Sequence, residues 1–221
     1  MSSNFIQTIT QDGVFLGQNN IDRWDRKDTI KNETVGGHVH DVTLMVRALI
    51  EEIFPYSAYQ IKLEILTDAA THDFEEVFSG DLNHDVKYNP INGEKIREVL
   101  NEFCHARLRQ YFGGDMKSAR MFLKSTTEQS KYSKHLIKVA DWLSMAIFCQ
   151  KEINMGNHLF NSTLAKCIEK LLLACDIAQA SLEELGMELD YSVFKLIINI
   201  DWNESRRTRS EQPSKVRRKA I

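Results

Sequence analysis

Three of the seven histidines in this chain directly precede an aspartate, in the pairs His40-Asp41, His72-Asp73 and His84-Asp85. An imidazole beside a carboxylate can bind a transition-metal ion, although the same pair also occurs on polar surfaces. Adjacent side chains on a helix point about 100° apart, so a pair can share an ion only near a helix end or bend. The pair at 72-73 meets this condition, because it lies at the end of a predicted helix. At most some of the pairs can be ligands.

One further acid and one further histidine are candidates for the same site. Asp141 lies in the apolar stretch VADWLSMA, where a carboxylate costs several kcal/mol to bury unless it is paired or bound to a cation. His38 begins the first long predicted helix. Together with the pair at 72-73 these residues would form a mixed nitrogen and oxygen site, suited to Mn, Fe, Co, Ni or Zn, with positions left for water and substrate. Asp141 could instead form a structural ion pair with Lys138 or Arg120.

The elements that must position these residues are predicted to be helices. Apolar residues recur at three- and four-residue steps, and no segment alternates cleanly with a period of two, although the last helical segment is rich in β-branched residues. The fold class is therefore predicted to be all-α. Pro55 should end the first helix and Gly156 the fourth, and the third should bury Ile96, Leu100, Phe103 and Leu108. The predicted helical segments are 38–54, 58–73, 93–114, 131–157, 161–186 and 190–202.

Composition limits the class of protein. A chain of 221 residues and 25.5 kDa suits one domain, predicted to span residues 1–203. A net charge of -3 argues against a general nucleic-acid or membrane-surface binder. No apolar run reaches the roughly 18–20 residues that span a bilayer, and the first residues do not resemble a secretion signal. The four cysteines lie in apolar helical patterns without CxxC spacing, which favours small core residues of a reducing compartment and a cytoplasmic location.

The last residues differ from the rest of the chain. Residues 204–221 are rich in arginine and lysine and poor in apolar residues, which predicts a disordered basic tail. A solvated tail is favoured over a nucleic-acid-binding arm, because the body is acidic and the basic run is short.

The order of the candidate residues resembles that of the HD-domain metal-dependent phosphohydrolases, most closely the bacterial-type 5'-deoxynucleotidases. The resemblance covers roughly residues 20 to 160. It implies an HD-domain helical bundle that binds one divalent transition-metal ion, with Mg possible, through His38, His72, Asp73 and Asp141. The residues that carry it are Arg23-Trp24, His38, the string HDFEEVFSGDLNHDVKY from His72, Asp141 in KVADWL, and Glu152, Gly156 and Asn157 in KEINMGN.

The resemblance also implies roles for five residues near that ion. Glu76 would position or deprotonate the attacking water, and Asp81 would act as acid or base near the scissile phosphate. Arg23 would clamp the phosphate with its fork of donors, and Lys87 is a weaker phosphate ligand. Trp24 would pack against the sugar and favour deoxyribose, but a core aromatic is an open alternative.

Glu76 is four residues after His72, so the two side chains share a face if the helix continues, and a solvated acidic helix end is the competing interpretation. His40 lies two positions after His38 and should face another side of the helix, so that only the pair at 72-73 matches the metal dipeptide.

The chain departs from the family at two positions close to the expected pocket. Gly36-Gly37 stands where an acidic residue commonly precedes the first ligand histidine, and Asn83-His84-Asp85 replaces a loop that often contains proline. Both departures leave the predicted metal ligands intact and bear on the choice of substrate.

The resemblance implies hydrolysis of deoxyribonucleoside 5'-monophosphates to a deoxynucleoside and phosphate, an activity of the cellular dNTP pool. Two alternatives remain open from the sequence: release of triphosphate from deoxynucleoside triphosphates at the same site, and a non-catalytic nucleotide sensor or interaction protein. A homodimer is expected, since small HD proteins of this type often pair. Neither a membrane nor a nucleic acid is expected as a partner.

Overall fold

The computed structural model describes residues 17–24, 27–54, 59–82, 84–87, 89–111, 131–184 and 186–187. Within these residues the chain forms seven α-helices, two short 3-10 helices and no β-strand. The all-α prediction is confirmed. The α-helices are α1 (Val35–Ile53), α2 (Tyr59–Thr71), α3 (Glu76–Ser79), α4 (His84–Lys87), α5 (Gly93–Tyr111), α6 (Lys131–Asn154) and α7 (Asn161–Glu183), and the 3-10 helices are Gly17–Asn20 and His158–Phe160.

The core of the protein is built around α6. This helix packs along α7 on one side and against α1 and α2 on the other, because its apolar residues occur on several faces. A helix that is apolar on most faces is stable only when neighbours cover it. Core side chains from these helices include Val46, Ile50, Ile65, Leu136, Leu143 and Leu171. All four cysteines are buried, as predicted.

The ends of α1 and α6 follow the local sequence. Thr34 caps α1, and its side-chain oxygen accepts a hydrogen bond from the Gly37 N–H at 3.1 Å. Helix α6 ends at Asn154, and Gly156 follows with a φ of 99°, a left-handed conformation that glycine adopts at low cost. The predicted stop at Gly156 is confirmed. Pro55 lies outside the described residues.

The prediction that Phe103 is buried is wrong. Its side chain is 46% exposed, whereas Cys104 is 3% and Leu108 1% exposed. Among the described residues, the main contacts of helix α5 are with the short helices α3 and α4. The buried face of α5 is therefore narrow. Cys104 and Leu108 lie on this face, because residues four positions apart share one side of a helix.

An antiparallel bridge connects the segment before α1 to the start of that helix. Asp22 pairs with Thr34, the Arg23 N–H donates to the Glu33 carbonyl at 2.8 Å, and the Val35 N–H donates to the Ile21 carbonyl at 2.9 Å. This bridge places Arg23 beside the first turn of α1.

Several predictions from the sequence fall outside the described residues, namely the helix at 190–202, the basic tail at 204–221 and Arg120. Among the helices that are described, none is long and apolar enough to cross a membrane.

Candidate metal centre and active site

His38, His72 and Asp73 come together between α1 and the end of α2. One ligand atom from each lies within 4.8 Å of the others. The Nε2 atoms of His38 and His72 are 3.7 and 3.3 Å from Asp73 Oδ2. Helix α2 ends at Thr71 and the chain turns at 72–75. This is the helix end that allows two adjacent side chains to face one cavity.

Asp141 reaches the same group from the middle of α6. Its Oδ1 lies 3.2 Å from His38 Nε2, and its Oδ2 accepts a hydrogen bond from Lys138 Nζ at 2.6 Å. The ion pair with Lys138, which was the alternative to a ligand role, is therefore present. It engages one oxygen of the carboxylate, while the other oxygen faces the histidine.

The two imidazoles are arranged as metal ligands commonly are. His72 Nδ1 donates to the Ala69 carbonyl at 2.7 Å, and His38 Nδ1 hydrogen-bonds with Ser144 Oγ at 3.2 Å. Both Nε2 atoms are buried and have no hydrogen-bond partner of good geometry. Metal-bound histidines usually use one ring nitrogen for a protein hydrogen bond and the other for the ion. The donor set therefore fits a divalent cation of the Mn-to-Zn series.

Charge in this group favours a bound cation. Burial alone lowers the pKa of His72, but the neighbouring Asp73 carboxylate outweighs burial and raises that pKa to about 9. Burial raises the pKa of Asp141, but Lys138 and His38 hold it well below its usual range. Burial and the nearby Arg23 lower the pKa of His38. Buried carboxylates that stay ionised need compensating positive charge, which a cation supplies.

Glu76 lies beside this group, but on a different helix from the one that the sequence suggested. The helix does not continue from His72, and Glu76 instead begins α3 after the turn at 72–75, where its N–H donates to the Asp73 carbonyl at 3.1 Å. The carboxylate is 4% exposed and one oxygen, Oε2, has no partner. Burial and the charge of Asp73 raise the pKa of Glu76 to about 8. The interpretation as a solvated helix end is wrong, because Glu76 is buried.

Lys87 and Asp81 flank Glu76. Lys87 Nζ is 2.5 Å from Glu76 Oε1, and the Lys87 carbonyl accepts a hydrogen bond from Arg97 at 2.7 Å. Lys87 therefore favours the ionised form of Glu76 and opposes the rise in its pKa. Asp81 follows Gly80, which has a φ of 72°, and its charge acts on Glu76.

Arg23 presents unsatisfied donors in a buried position. The residue is 9% exposed, and its Nε and Nη1 have no hydrogen-bond partner. An acidic oxygen of Glu33 is 3.9 Å from Nε. Burial lowers the pKa of Arg23, but Glu33, Asp73 and other carboxylates outweigh this and raise it. A buried guanidinium with free N–H groups, close to the acidic residues of the site, is suited to bind an anion.

Trp24 packs as a core aromatic, the alternative that the sequence left open. Its ring stacks on Phe148 at 5.3 Å with an interplanar angle of 7° and meets Phe160 edge-on at 5.5 Å. Its Nε1 donates to Glu33 Oε2 at 2.9 Å. The φ of Trp24 is 64°, which a bulky residue adopts only when its surroundings enforce it. Contact with a sugar therefore remains a proposal.

The hydrogen-bond partners of these residues were not predicted from the sequence. Ser144 lies three positions after Asp141 on α6, so helical spacing from a suspected ligand could have found it. Glu33 carried no comparable signal, because its contacts with Arg23 and Trp24 depend on the bridge before α1. His40 is exposed while His38 is fully buried, so the two face different sides of α1, as predicted. The side chains of His84 and Asp85 lie outside the described residues.

A cavity of about 410 Å³ lies between α1 and α6, away from the ligand atoms. Ser144, which bonds the far nitrogen of His38, and Phe148, on which Trp24 stacks, form part of its wall. None of the predicted metal ligands lines it.

Comparison with known proteins places the chain in a family. The family model of YfbR-like 5'-deoxynucleotidases matches residues 15–182. The chain belongs to the YfbR-like 5'-deoxynucleotidase family. It is 28% identical over 149 residues to a 5'-deoxynucleotidase of Pasteurella multocida, covering 66% of this chain and 75% of that one. It is 25% identical over 182 residues to a 5'-deoxynucleotidase of Erwinia tasmaniensis, covering 82% and 89%.

A solved structure shares the fold. An HD-domain phosphohydrolase of Listeria innocua superposes with a TM-score of 0.63 at 17% identity, over 89% of this chain and 95% of that one. The predicted HD-domain bundle and the predicted family are confirmed. Membership of a 5'-deoxynucleotidase family supports a hydrolase and weighs against a non-catalytic sensor. The domain boundary at residue 203 stays a prediction.

Proposed function

We propose that this protein hydrolyses deoxyribonucleoside 5'-monophosphates to a deoxynucleoside and inorganic phosphate. The observation that carries the proposal is the convergence of two buried, unpartnered imidazole nitrogens on Asp73 and Asp141 within a chain of the 5'-deoxynucleotidase family. Each nitrogen lacks a well-formed hydrogen bond and faces a carboxylate oxygen, and a cation bound between them would satisfy both groups.

The proposed ligands of one divalent ion are His38, His72, Asp73 and Asp141. A bound ion of the Mn, Fe, Co, Ni or Zn type, or Mg, would supply positive charge that neutralises the phosphate and acidifies water. The second nitrogens of the two histidines are already engaged by Ser144 and by a backbone carbonyl, which orients both rings toward the ion.

The remaining residues would handle the phosphate, the proton and the sugar. Arg23 would donate its unpartnered N–H groups to the phosphate oxygens. Glu76 would orient the attacking water and take its proton through the unpartnered Oε2, with Lys87 holding the other oxygen. Asp81 would act as acid or base near the leaving oxygen. Trp24 would limit space at the 2' position of the sugar.

Ligand variants test the proposal. His72→Ala and Asp73→Ala should each lower hydrolysis of deoxynucleoside monophosphates by about 100-fold or more, because the ion and its charge are lost. Mn should raise the Tm of the wild-type protein and not that of the variants. His40→Ala is the matched control, since His40 is exposed. Hydrolysis that survives in both ligand variants with metal present would refute the site.

Product analysis distinguishes the proposal from its alternatives. The wild-type protein should be assayed with deoxy- and ribonucleoside mono- and triphosphates in Mn, Co and Mg. Orthophosphate from monophosphates supports the proposal, and triphosphate from triphosphates supports the second enzymatic alternative. Nucleotide binding without turnover in every metal would favour the sensor.

We further propose that the protein forms a homodimer in the cytoplasm. Exposed apolar side chains on α7, at Leu173 and Ile177, are 40% and 44% accessible and offer a contact face. Sedimentation analysis at several concentrations tests the assembly, and a single species of about one chain mass throughout would contradict it. The absence of a nucleic-acid partner stays a prediction.

A further inference from the structure

Glu152 is a buried carboxylate near the end of α6 that the proposed reaction does not use. The residue is fully buried and accepts three hydrogen bonds, from the Ile30 N–H at 2.8 Å, the Lys31 N–H at 2.9 Å and Asn157 Nδ2 at 2.8 Å. Burial raises its pKa, but these hydrogen bonds hold the pKa of Glu152 below its ordinary value. A buried carboxylate is tolerated when donors saturate it in this way.

Two of the three donors to Glu152, the N–H groups of Ile30 and Lys31, belong to the connection between Trp24 and α1. Asn157 also donates to the Asp28 carbonyl at 2.7 Å. Glu152 and Asn157 therefore hydrogen-bond to three backbone groups of residues 28–31, two N–H groups and one carbonyl. We name this arrangement the 152/157 clasp. The carboxylate lies 122 positions from Ile30 along the chain. The clasp thus fastens a segment that has no helix of its own to the rigid end of α6.

The same end of α6 holds Trp24. Phe148, one turn before Glu152, stacks on the indole, and Phe160, just after Asn157, meets it edge-on. At the far end of the clasped segment, Glu33 accepts the indole N–H and lies 3.9 Å from Arg23. The positions of the Trp24 ring, the Arg23 guanidinium and Glu33 therefore depend on the position of residues 28–31.

We propose that Glu152, with Asn157, is a positioning residue that orients Arg23 and Trp24 through residues 28–33 and so sets substrate affinity and the preference for deoxyribose. This inference rests on the proposed function for its kinetic consequences. Glu152 itself touches neither substrate nor ion. A loss of the clasp should therefore act on substrate binding and leave the ion site unchanged.

Glu152→Gln is the test variant, because it keeps the shape but replaces one acceptor oxygen by an NH2 group that faces backbone donors. Hydrogen exchange at the Ile30 and Lys31 amides should become at least about tenfold faster. The KM for deoxynucleoside monophosphates should rise about tenfold with a smaller change in kcat, and the deoxy-to-ribo ratio of kcat/KM should fall. The affinity for Mn should stay within about twofold.

Matched variants separate positioning from general destabilisation. Glu183→Gln makes the same chemical change at an exposed residue of α7 and should alter none of these quantities. Leu171→Ala weakens the core away from the clasp, and it should lower the Tm without changing the deoxy-to-ribo ratio, which is measured on folded molecules only. Asn157→Ala should act in the same direction as Glu152→Gln and provides the test if Glu152→Gln does not fold.

The exchange and kinetic measurements test separate parts of the proposal. If the wild-type protein turns over no monophosphate, the proposed function fails, while amide exchange and calorimetric binding of deoxy- and ribonucleoside monophosphates still test the clasp. Unchanged exchange at 30 and 31 would overturn the clasp. Faster exchange with an unchanged deoxy-to-ribo ratio, in kinetics or in binding, would overturn its role in selectivity.

Discussion

At the scale of single residues, the hydrogen bonding of Arg23 is unusual for a buried cation. Two of its nitrogens lack hydrogen-bond partners, although four carboxylates act on its charge. A buried donor without an acceptor costs free energy, and a ligand anion that supplies acceptors would recover it. The planar fork of arginine can contact two phosphate oxygens at once, which lysine cannot do.

Arg23→Lys should therefore weaken substrate binding while keeping the positive charge. We expect the KM for deoxynucleoside monophosphates to rise about tenfold or more, because a bidentate contact becomes a single one. Steady-state kinetics with inorganic phosphate as a competing inhibitor measures the effect, and the inhibition constant for phosphate should rise in parallel. Lys166→Arg, at an exposed position of α7, is the control. An unchanged phosphate inhibition constant would exclude Arg23 as the clamp.

At the scale of elements, the two glycines before His38 have different environments. A Cβ on Gly36 would collide with the side chain of Asn19 and lie 3.2 Å from its backbone nitrogen, whereas Gly37 is exposed and a Cβ there would meet only the Thr34 hydroxyl, at 3.3 Å. Gly36 thus lets the 3-10 helix Gly17–Asn20 lie against α1. The acidic residue common in the family is missing at the exposed position 37, where no buried contact depends on it.

Gly36→Ala should destabilise the protein by about 1–3 kcal/mol, because the 3-10 helix must move away from α1. Gly37→Ala, at an exposed helical position, should stabilise the protein by no more than about 1 kcal/mol and is the neighbouring control. The double variant Gly36→Ala/Asn19→Gly should recover part of the loss, since the side-chain collision is removed. Urea unfolding measures all three, and equal destabilisation by both single variants would contradict the packing argument.

At the scale of the whole molecule, stability should depend on the protonation of Asp68. This residue of α2 is 7% exposed and accepts a hydrogen bond from Ser133 of α6 at 2.9 Å. Burial raises the pKa of Asp68 from 3.8 to about 6. The folded chain holds this proton more tightly than the unfolded chain. The contribution of Asp68 to the free energy of unfolding is therefore most favourable below about pH 4, and it is lost as the pH rises through 6.

Asp68→Asn should remove this loss. We expect the variant to be more stable than wild type by about 1–2 kcal/mol at pH 8, with the difference shrinking toward pH 4. Chemical unfolding from pH 4 to 8 measures the difference, and Glu169→Gln at an exposed position of α7 is the control. A variant that is less stable than wild type at pH 8 would show that the carboxylate is charged and well compensated.

The sequence alone determined the helices, the family and the order of the site residues. Helical periodicity and end signals such as Gly156 act within a few residues, so they can be read without knowing the partners. The His-Asp pair at a helix end and Asp141 in an apolar stretch were recognisable for the same reason. Their convergence could only be inferred from the resemblance.

Only the tertiary structure determined which residues hydrogen-bond to the site residues and to the segment that carries Glu33. The bond between His38 and Ser144 spans 106 positions, and Glu152 reaches Ile30 across 122. The exposure of Phe103 and the sharing of Asp141 with Lys138 likewise depend on neighbouring side chains in space. Such contacts depend on how the helices pack, and no local pattern in the chain encodes them.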